Sequence, residues 1–120
     1  MIVPERKTLD DKEMFDDIVR AILLSVMGDD AVRIILYGSV ARGDNTPESD
    51  VDIAVITEGD YDREERRHKL FDAVYPLDMK YDTLISVTPI ESYHYFLCKY
   101  QIPFYMNIAK EGITLWKKYA

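Results

Sequence analysis

The stretch Ile34-Ile35-Leu36-Tyr37-Gly38-Ser39-Val40-Ala41-Arg42-Gly43-Asp44, taken up again at Ser49-Asp50-Val51-Asp52-Ile53-Ala54-Val55, decides how this chain is read. One apolar run ends in Gly-Ser and a second begins at Asp-x-Asp. Side chains alternate between faces along a strand, so Asp50 and Asp52 point the same way, two carboxylates roughly 6–7 Å apart. Their repulsion is relieved by protonating one of them or by a cation between them, and carboxylate clusters are what hard divalent ions such as Mg²⁺ prefer. Gly38 lets the backbone bend sharply and approach a ligand closely, and the N–H groups from Ser39 onward can face an anion if a helix starts there. A phosphate cradle beside a metal-binding carboxylate pair implies nucleotide chemistry.

The flanking patterns place this stretch in a small sheet. Ala31 to Tyr37 and Val51 to Thr57 are short runs rich in apolar and β-branched residues, which read as buried strands. After about one helical turn, the segment from Val40 to Ser49 becomes a loop, because it holds Gly43, Asp44, Asn45, Thr46 and Pro47. Upstream, Thr8 caps a helix with Asp10 and Asp11 in its first turn, and Phe15, Ile18, Val19, Ile22, Leu23 and Val26 form one buried stripe, ended by Gly28. Downstream, Asp62 to Tyr75 reads as a charged helix that Pro76 breaks or kinks, its basic cluster interleaved with Glu64 and Glu65 as a solvated face. Thr83 to Val87 reads as a third strand with Asp82 at its start, and Thr88-Pro89-Ile90-Glu91 as a capping box that opens a helix to about Tyr100. Pro103 restarts a helix to Glu111, Gly112 caps it, and Ile113 to Trp116 forms a short last strand. The fold class is α/β (α+β), a small mixed β-sheet of about four strands flanked by helices, in one domain over residues 1–120.

A chain of 120 residues with 48% hydrophobic content is long enough for one core and too short for two ordinary domains. A net charge of −7 argues against an extended nucleic-acid surface, so an anionic substrate needs a local site with a cation. The lone Cys98 has no intramolecular disulfide partner, and no signal peptide or long apolar run appears, which leaves no membrane and a cytoplasmic setting as the expectation. His68 and His94 lack ligand-spaced partners for zinc, and no P-loop is present. The aromatic cluster Tyr93, Tyr95, Phe96, Tyr100, Phe104 and Tyr105 reads as core or subunit interface before it reads as a base-stacking platform.

Gly38-Ser39, Ala41-Arg42-Gly43 and Ser49-Asp50-x-Asp52 together resemble the signature of the minimal nucleotidyltransferases of the polymerase-β-like superfamily. At average residue usage, the six identities Gly38, Ser39, Arg42, Gly43, Asp50 and Asp52 coincide by chance on the order of once in 10⁷ positions. The resemblance implies a third carboxylate on the strand beside Asp-x-Asp. Asp82 matches that place best, and Asp78 competes with it. It also implies two Mg²⁺ ions held by Asp50, Asp52 and Asp82, with Asp82 or a metal-bound water taking the acceptor's proton. Gly38 and Ser39 would hold the β- and γ-phosphates. Arg42 either neutralises phosphate or braces the loop through Asp44 or Glu48.

A lone small nucleotidyltransferase of this kind resembles the antitoxins that pair with a separate HEPN ribonuclease and attach AMP to it. The expected activity is therefore Mg²⁺-dependent transfer of a nucleoside monophosphate, AMP from ATP, to a hydroxyl of a HEPN-type partner protein. Two alternatives stand beside it. One is a small-molecule, aminoglycoside-like nucleotidyltransferase whose acceptor site forms in a homodimer. The other is a nucleotide-binding antitoxin that neutralises its partner by contact alone. Arg63 and His68 match the Arg-x4-His spacing of HEPN ribonucleases, a coincidence inside a different fold pattern.

Overall fold

The computed structural model describes residues 11–25, 28–59 and 62–119. Helix α1 (Lys12–Leu24) follows Asp11, and its Met14, Phe15, Ile18 and Ile22 are buried at three- and four-residue spacing. The expected cap Thr8, the first-turn Asp10 and the last stripe residue Val26 lie outside the described residues. Strand β1 (Ala31–Tyr37), helix α2 (Gly38–Arg42) and strand β2 (Val51–Thr57) follow. The strand bounds are those read from the apolar runs.

The remaining elements are α3 (Arg63–Tyr81), β3 (Ile85–Glu91), α4 (Ser92–Cys98), α5 (Pro103–Glu111) and β4 (Ile113–Lys117). The sheet order is β3-β2-β1-β4, with β2 and β3 parallel and β1 antiparallel to both β2 and β4. One face packs α1 and α3 through Ile18, Ile22, Leu70 and Val74 against Ile34, Leu36, Ile53 and Val55. The other face carries α4 and α5 through Tyr95 and Ile108, set against Val32, Ile35, Ala54, Ile56 and Ile90. Asp52 alternates with Val51 and Ile53 and so shares the α4/α5 face with Ala54.

Two expectations are corrected. The third helix does not end at Tyr75 but continues through Pro76 to Tyr81. Proline removes one helical hydrogen bond, yet Pro76 and Asp72 four residues earlier are both exposed, so water can take up the freed carbonyl. The extra turn is held because Leu77 and Tyr81 pack on the core and because Lys80 and Tyr81 both donate to Asp17 of α1. The asparagine-free end is closed by Asp82, which adopts a left-handed conformation (φ 47°) as the C-cap.

Thr88-Pro89-Ile90-Glu91, expected to open a helix, is the second half of β3, paired in parallel with Ala54 to Thr57. Burial of Ile85, Val87 and Ile90 against the two faces outweighs the local capping signal. Because β3 is an edge strand, the N–H that Pro89 lacks leaves no ladder bond unmade. Helix α4 starts at Ser92 instead and ends at Cys98 rather than Tyr100.

The basic stretch of α3 is mostly the solvated face expected, with Arg67 on Glu64 and Lys69 on Glu65. Arg66 is the exception. It is 5% exposed, and its guanidinium donates to Asp30 at 2.8 Å and to the Glu58 carbonyl at 3.3 Å, tying α3 to the end of the strand pair where β1 begins and β2 finishes. No helix among the described residues is long and apolar enough to cross a membrane.

Candidate nucleotidyl-transfer site

The sheet register brings the two halves of the motif together. Tyr37, last in β1, is the ladder partner of Asp52 in β2, so Gly38 emerges beside the Asp52 carboxylate. A β-carbon built on Gly38 would lie 2.3 Å from Asp52 Oδ2, and Gly38 has φ +77°. Glycine is required twice over here, once for the backbone angle and once for the space that the carboxylate fills.

Ser39 lies in the first turn of α2, and its carbonyl accepts from Gly43 at 2.9 Å and from Asp44 at 3.1 Å. Gly43 takes the left-handed C-cap at φ 79°. A tight turn then follows, in which the Thr46 N–H donates to Ser49 Oγ at 2.9 Å and the Ser49 N–H to the Thr46 carbonyl at 3.0 Å. This turn sets Asp50 two residues ahead of Asp52. Burial raises the pKa of Asp52 above the ordinary carboxylate value, the charge of Asp50 raises it further, and Arg42 opposes both.

Arg42 braces the loop, as one of its two expected roles had it. Its Nε donates to Asp44 at 3.1 Å, but its second partner is Glu111 of α5 at 3.3 Å, not Glu48. The Glu111 contact spans 69 positions of sequence, so no local pattern could announce it.

Asp82 is not at the start of β3. It caps α3, three positions before the strand begins, and borders a shallow depression with Asp50 and Asp78. Asp78 is committed to the backbone, its Oδ1 accepting from Ile85 N–H at 3.0 Å. The β3 residue in register with Asp52 is Ser86. Among the described residues, no three His, Cys, Asp or Glu side chains gather as a metal-holding group. The structure thus brings Gly38, Ser39, Arg42, Asp50 and Asp52 together and leaves Asp82 on the rim.

Sequence reasoning missed the polar row that crosses the sheet at this level, Tyr37, Asp52 and Ser86 in register, with Thr88 beside it. The Tyr37 hydroxyl is paired with Thr88, its ring meets Phe104 edge-on at 5.5 Å, and burial together with the Asp52 charge pushes its pKa up. The signal existed in the β2–β3 register, but the misplaced strand boundary hid it.

A family model described as a nucleotidyltransferase domain matches residues 18–104, from within α1 to the start of α5. The chain belongs to the nucleotidyltransferase domain family. Nucleotidyl transfer is accordingly its reaction class. A Methanocaldococcus jannaschii protein named as a candidate protein adenylyltransferase is 37% identical over 84 residues, 70% of this chain and 77% of that protein. Among solved structures, one chain of a toxin–antitoxin complex with AMP-PNP superposes with a TM-score of 0.61 at 21% identity, over 87% of this chain and 73% of its own. A tri-AMPylated Shewanella oneidensis HEPN toxin in complex with MNT antitoxin gives 0.56 at 19% identity, over 89% of this chain and 72% of the matched one. These two superpositions show the shared fold.

Proposed function

We propose that this nucleotidyltransferase moves AMP from ATP to a hydroxyl of a HEPN-type partner protein, as the antitoxin of a toxin–antitoxin pair. The observation that carries the chemistry is the contact between Gly38 and Asp52, which sets a backbone turn able to face phosphate against a half-buried carboxylate. The acceptor class is supported by the relative named for protein adenylyl transfer and by the toxin–antitoxin complexes that share the fold.

The residues fit a divalent cation. Asp50 and Asp52 are two acceptor-only groups near enough for one to raise the other's pKa, and Gly38 sets no β-carbon against the Asp52 oxygen. Asp50 and Asp52 would hold Mg²⁺, which would supply charge neutralisation for the phosphates and orientation for in-line displacement. Asp82 is a further carboxylate on the rim of the depression that Asp50 borders. Gly38 and Ser39 bind the β- and γ-phosphates through backbone N–H groups and the Ser39 hydroxyl. Arg42, fixed by Asp44 and Glu111, holds the turn in that shape while its charge offsets that of Asp52. The acceptor oxygen attacks the α-phosphorus as the bond to the β-phosphate oxygen breaks, pyrophosphate leaves, and the acceptor proton passes to a carboxylate or to water.

The test is incubation of the full chain with α-³²P-ATP and Mg²⁺ in an extract of the source cells, beside an Asp52→Asn variant. Label in one small protein, absent with the variant, is the expected result. Label in a small-molecule fraction instead would replace the protein acceptor by a small one, and labelling that survives in the variant would overturn the role of Asp52.

A further inference from the structure

Away from the Gly-Ser turn, α4 and α5 border with β1 and β4 an open cavity of about 490 Å³. Its lining includes Arg33, Lys99, Lys110, Tyr95, Tyr100 and Asn107, over an apolar floor of Ile35 and Ile108, and it contains no carboxylate. That is unusual for a chain of net charge −7. Arg42, Arg66, Arg67, Lys69, Lys80 and Lys118 are each paired with an acid, whereas Arg33, Lys99 and Lys110 have no ion-pair partner among the described residues.

Two of the three, Arg33 and Lys99, are associated with rings instead. The Arg33 guanidinium carbon lies 5.1 Å from the Phe96 ring centre, and Lys99 Nζ lies 5.2 Å from that of Tyr100. A ring face attracts a cation but carries no net charge, so these cations can still pair with an anion. None of Gly38, Ser39, Asp50 and Asp52 borders the cavity, so it is separate from the transfer site.

We propose that this cavity binds a small phosphorylated aromatic ligand, of the class of a nucleoside mono- or diphosphate. Arg33, Lys99 and Lys110 supply the phosphate contacts, the exposed Tyr100 ring offers a stacking face once Lys99 turns from it to the phosphate, and the Asn107 amide presents both a donor and an acceptor to a base edge. The volume lies within the ordinary range of small-ligand pockets, about 300–1,000 Å³. The site does not depend on the acceptor proposed above. It does share a wall with the transfer site: Lys110 lines the cavity and the next residue, Glu111, holds Arg42. A ligand seated there rests on the helix that braces the Gly-Ser turn.

The experiment is calorimetric titration of the full chain with ADP in EDTA, which disfavours metal-dependent binding at Asp50 and Asp52. The expected result is saturable one-to-one binding that persists in Ser39→Ala and weakens about tenfold or more in Lys110→Ala and again in Lys99→Ala, with adenosine and inorganic phosphate each binding more weakly than ADP. Lys110 is exposed and Lys99 half-buried against exposed rings, so thermal melts of the variants should stay close to that of the parent. Absence of saturable binding overturns the proposal, as does an affinity unchanged in both lysine variants. Binding lost in Ser39→Ala would assign ADP to the transfer site, and phosphate bound as tightly as ADP would leave a bare anion site with no place for a nucleoside. Capture of an acidic peptide in place of ADP would equally overturn it.

Discussion

The two faces of the sheet are built from the same four strands and differ in what they enclose. On the α1/α3 face, Ile18, Ile22, Ile34, Leu36, Ile53 and Leu70 are completely buried, in the larger of the two apolar clusters. On the α4/α5 face the cluster is smaller, and at one end it gives way to Tyr37, Asp52, Ser86 and Thr88, polar groups held half-buried. The first face provides most of the stability. The second tolerates a carboxylate whose pKa burial raises, which only a well-supported sheet can hold in place. Separating the two functions lets one strand, β2, serve both, with Val51, Ile53 and Val55 on one side and Asp52, Ala54 and Ile56 on the other.

The sharpest way to break this division is at the junction of β1 and α2. Gly38→Ala forces a β-carbon to within 2.3 Å of Asp52 Oδ2 at a backbone angle of φ +77°. Displacing the carboxylate by about 1 Å should lower transfer by on the order of 10²-fold. The strained backbone should cost only about 1–3 kcal/mol of stability. Normal labelling by a folded Gly38→Ala protein would show that the turn does not position Asp52.

Paired core truncations compare the faces directly. Leu70 is fully enclosed by α1, α3 and the sheet, so Leu70→Ala should cost near the upper end of the usual 2–5 kcal/mol. Ile108 is nearly as buried but borders the basic cavity, so Ile108→Ala leaves a space that opens to water and should cost about 2 kcal/mol. Urea unfolding of both variants measures the difference, and equal losses would contradict the asymmetry of the faces.

Asp52→Asn offers a subtler probe through pH. A carboxyl whose folded pKa is raised above its unfolded value favours folding fully only below the unfolded value, near 3.8, and that contribution is lost as pH rises through the higher folded value. Asparagine does not titrate. The variant should therefore gain in stability relative to the parent across that interval and keep the gain above it, in the absence of divalent metal. Thermal melts in EDTA from pH 3 to 8 check this, and a gap that shrinks as pH rises would contradict the cause assigned to the shift.

The strands that carry the motif were legible because apolar runs bounded by Gly-Ser and Asp-x-Asp leave little freedom in register. The third strand was not. Thr88-Pro89-Ile90-Glu91 satisfies the local rule for a helix start, yet the parallel ladder with β2 and the burial of Ile90 override it. Likewise Pro76 signals a break that the packing of Tyr81 and the Asp17 contacts undo. The two errors compound at Asp82. A longer helix and a later strand move it off the sheet and into a helix cap. Glu111, the far anchor of Arg42, was invisible for a simpler reason, since its partner lies 69 residues away.

The smallest effect separates two roles that sequence alone merges. Asp82 sits at φ 47°, ψ 51°, where its N–H reaches the Asp78 carbonyl and Thr83 N–H reaches the same oxygen at 3.1 Å. A left-handed cap favours glycine, because a β-carbon is strained there. Relief of that strain, less the greater entropy glycine brings to the unfolded chain, should make Asp82→Gly more stable by up to about 1 kcal/mol. If the side chain serves only the cap, labelling of the acceptor should stay within about twofold of the parent. If the carboxylate assists Asp50 across the depression they share, labelling should fall steeply while stability still rises. A variant that is both more stable and inactive would move Asp82 from the rim into the machinery, and one that is more stable and active would leave Asp50 and Asp52 as the sufficient pair.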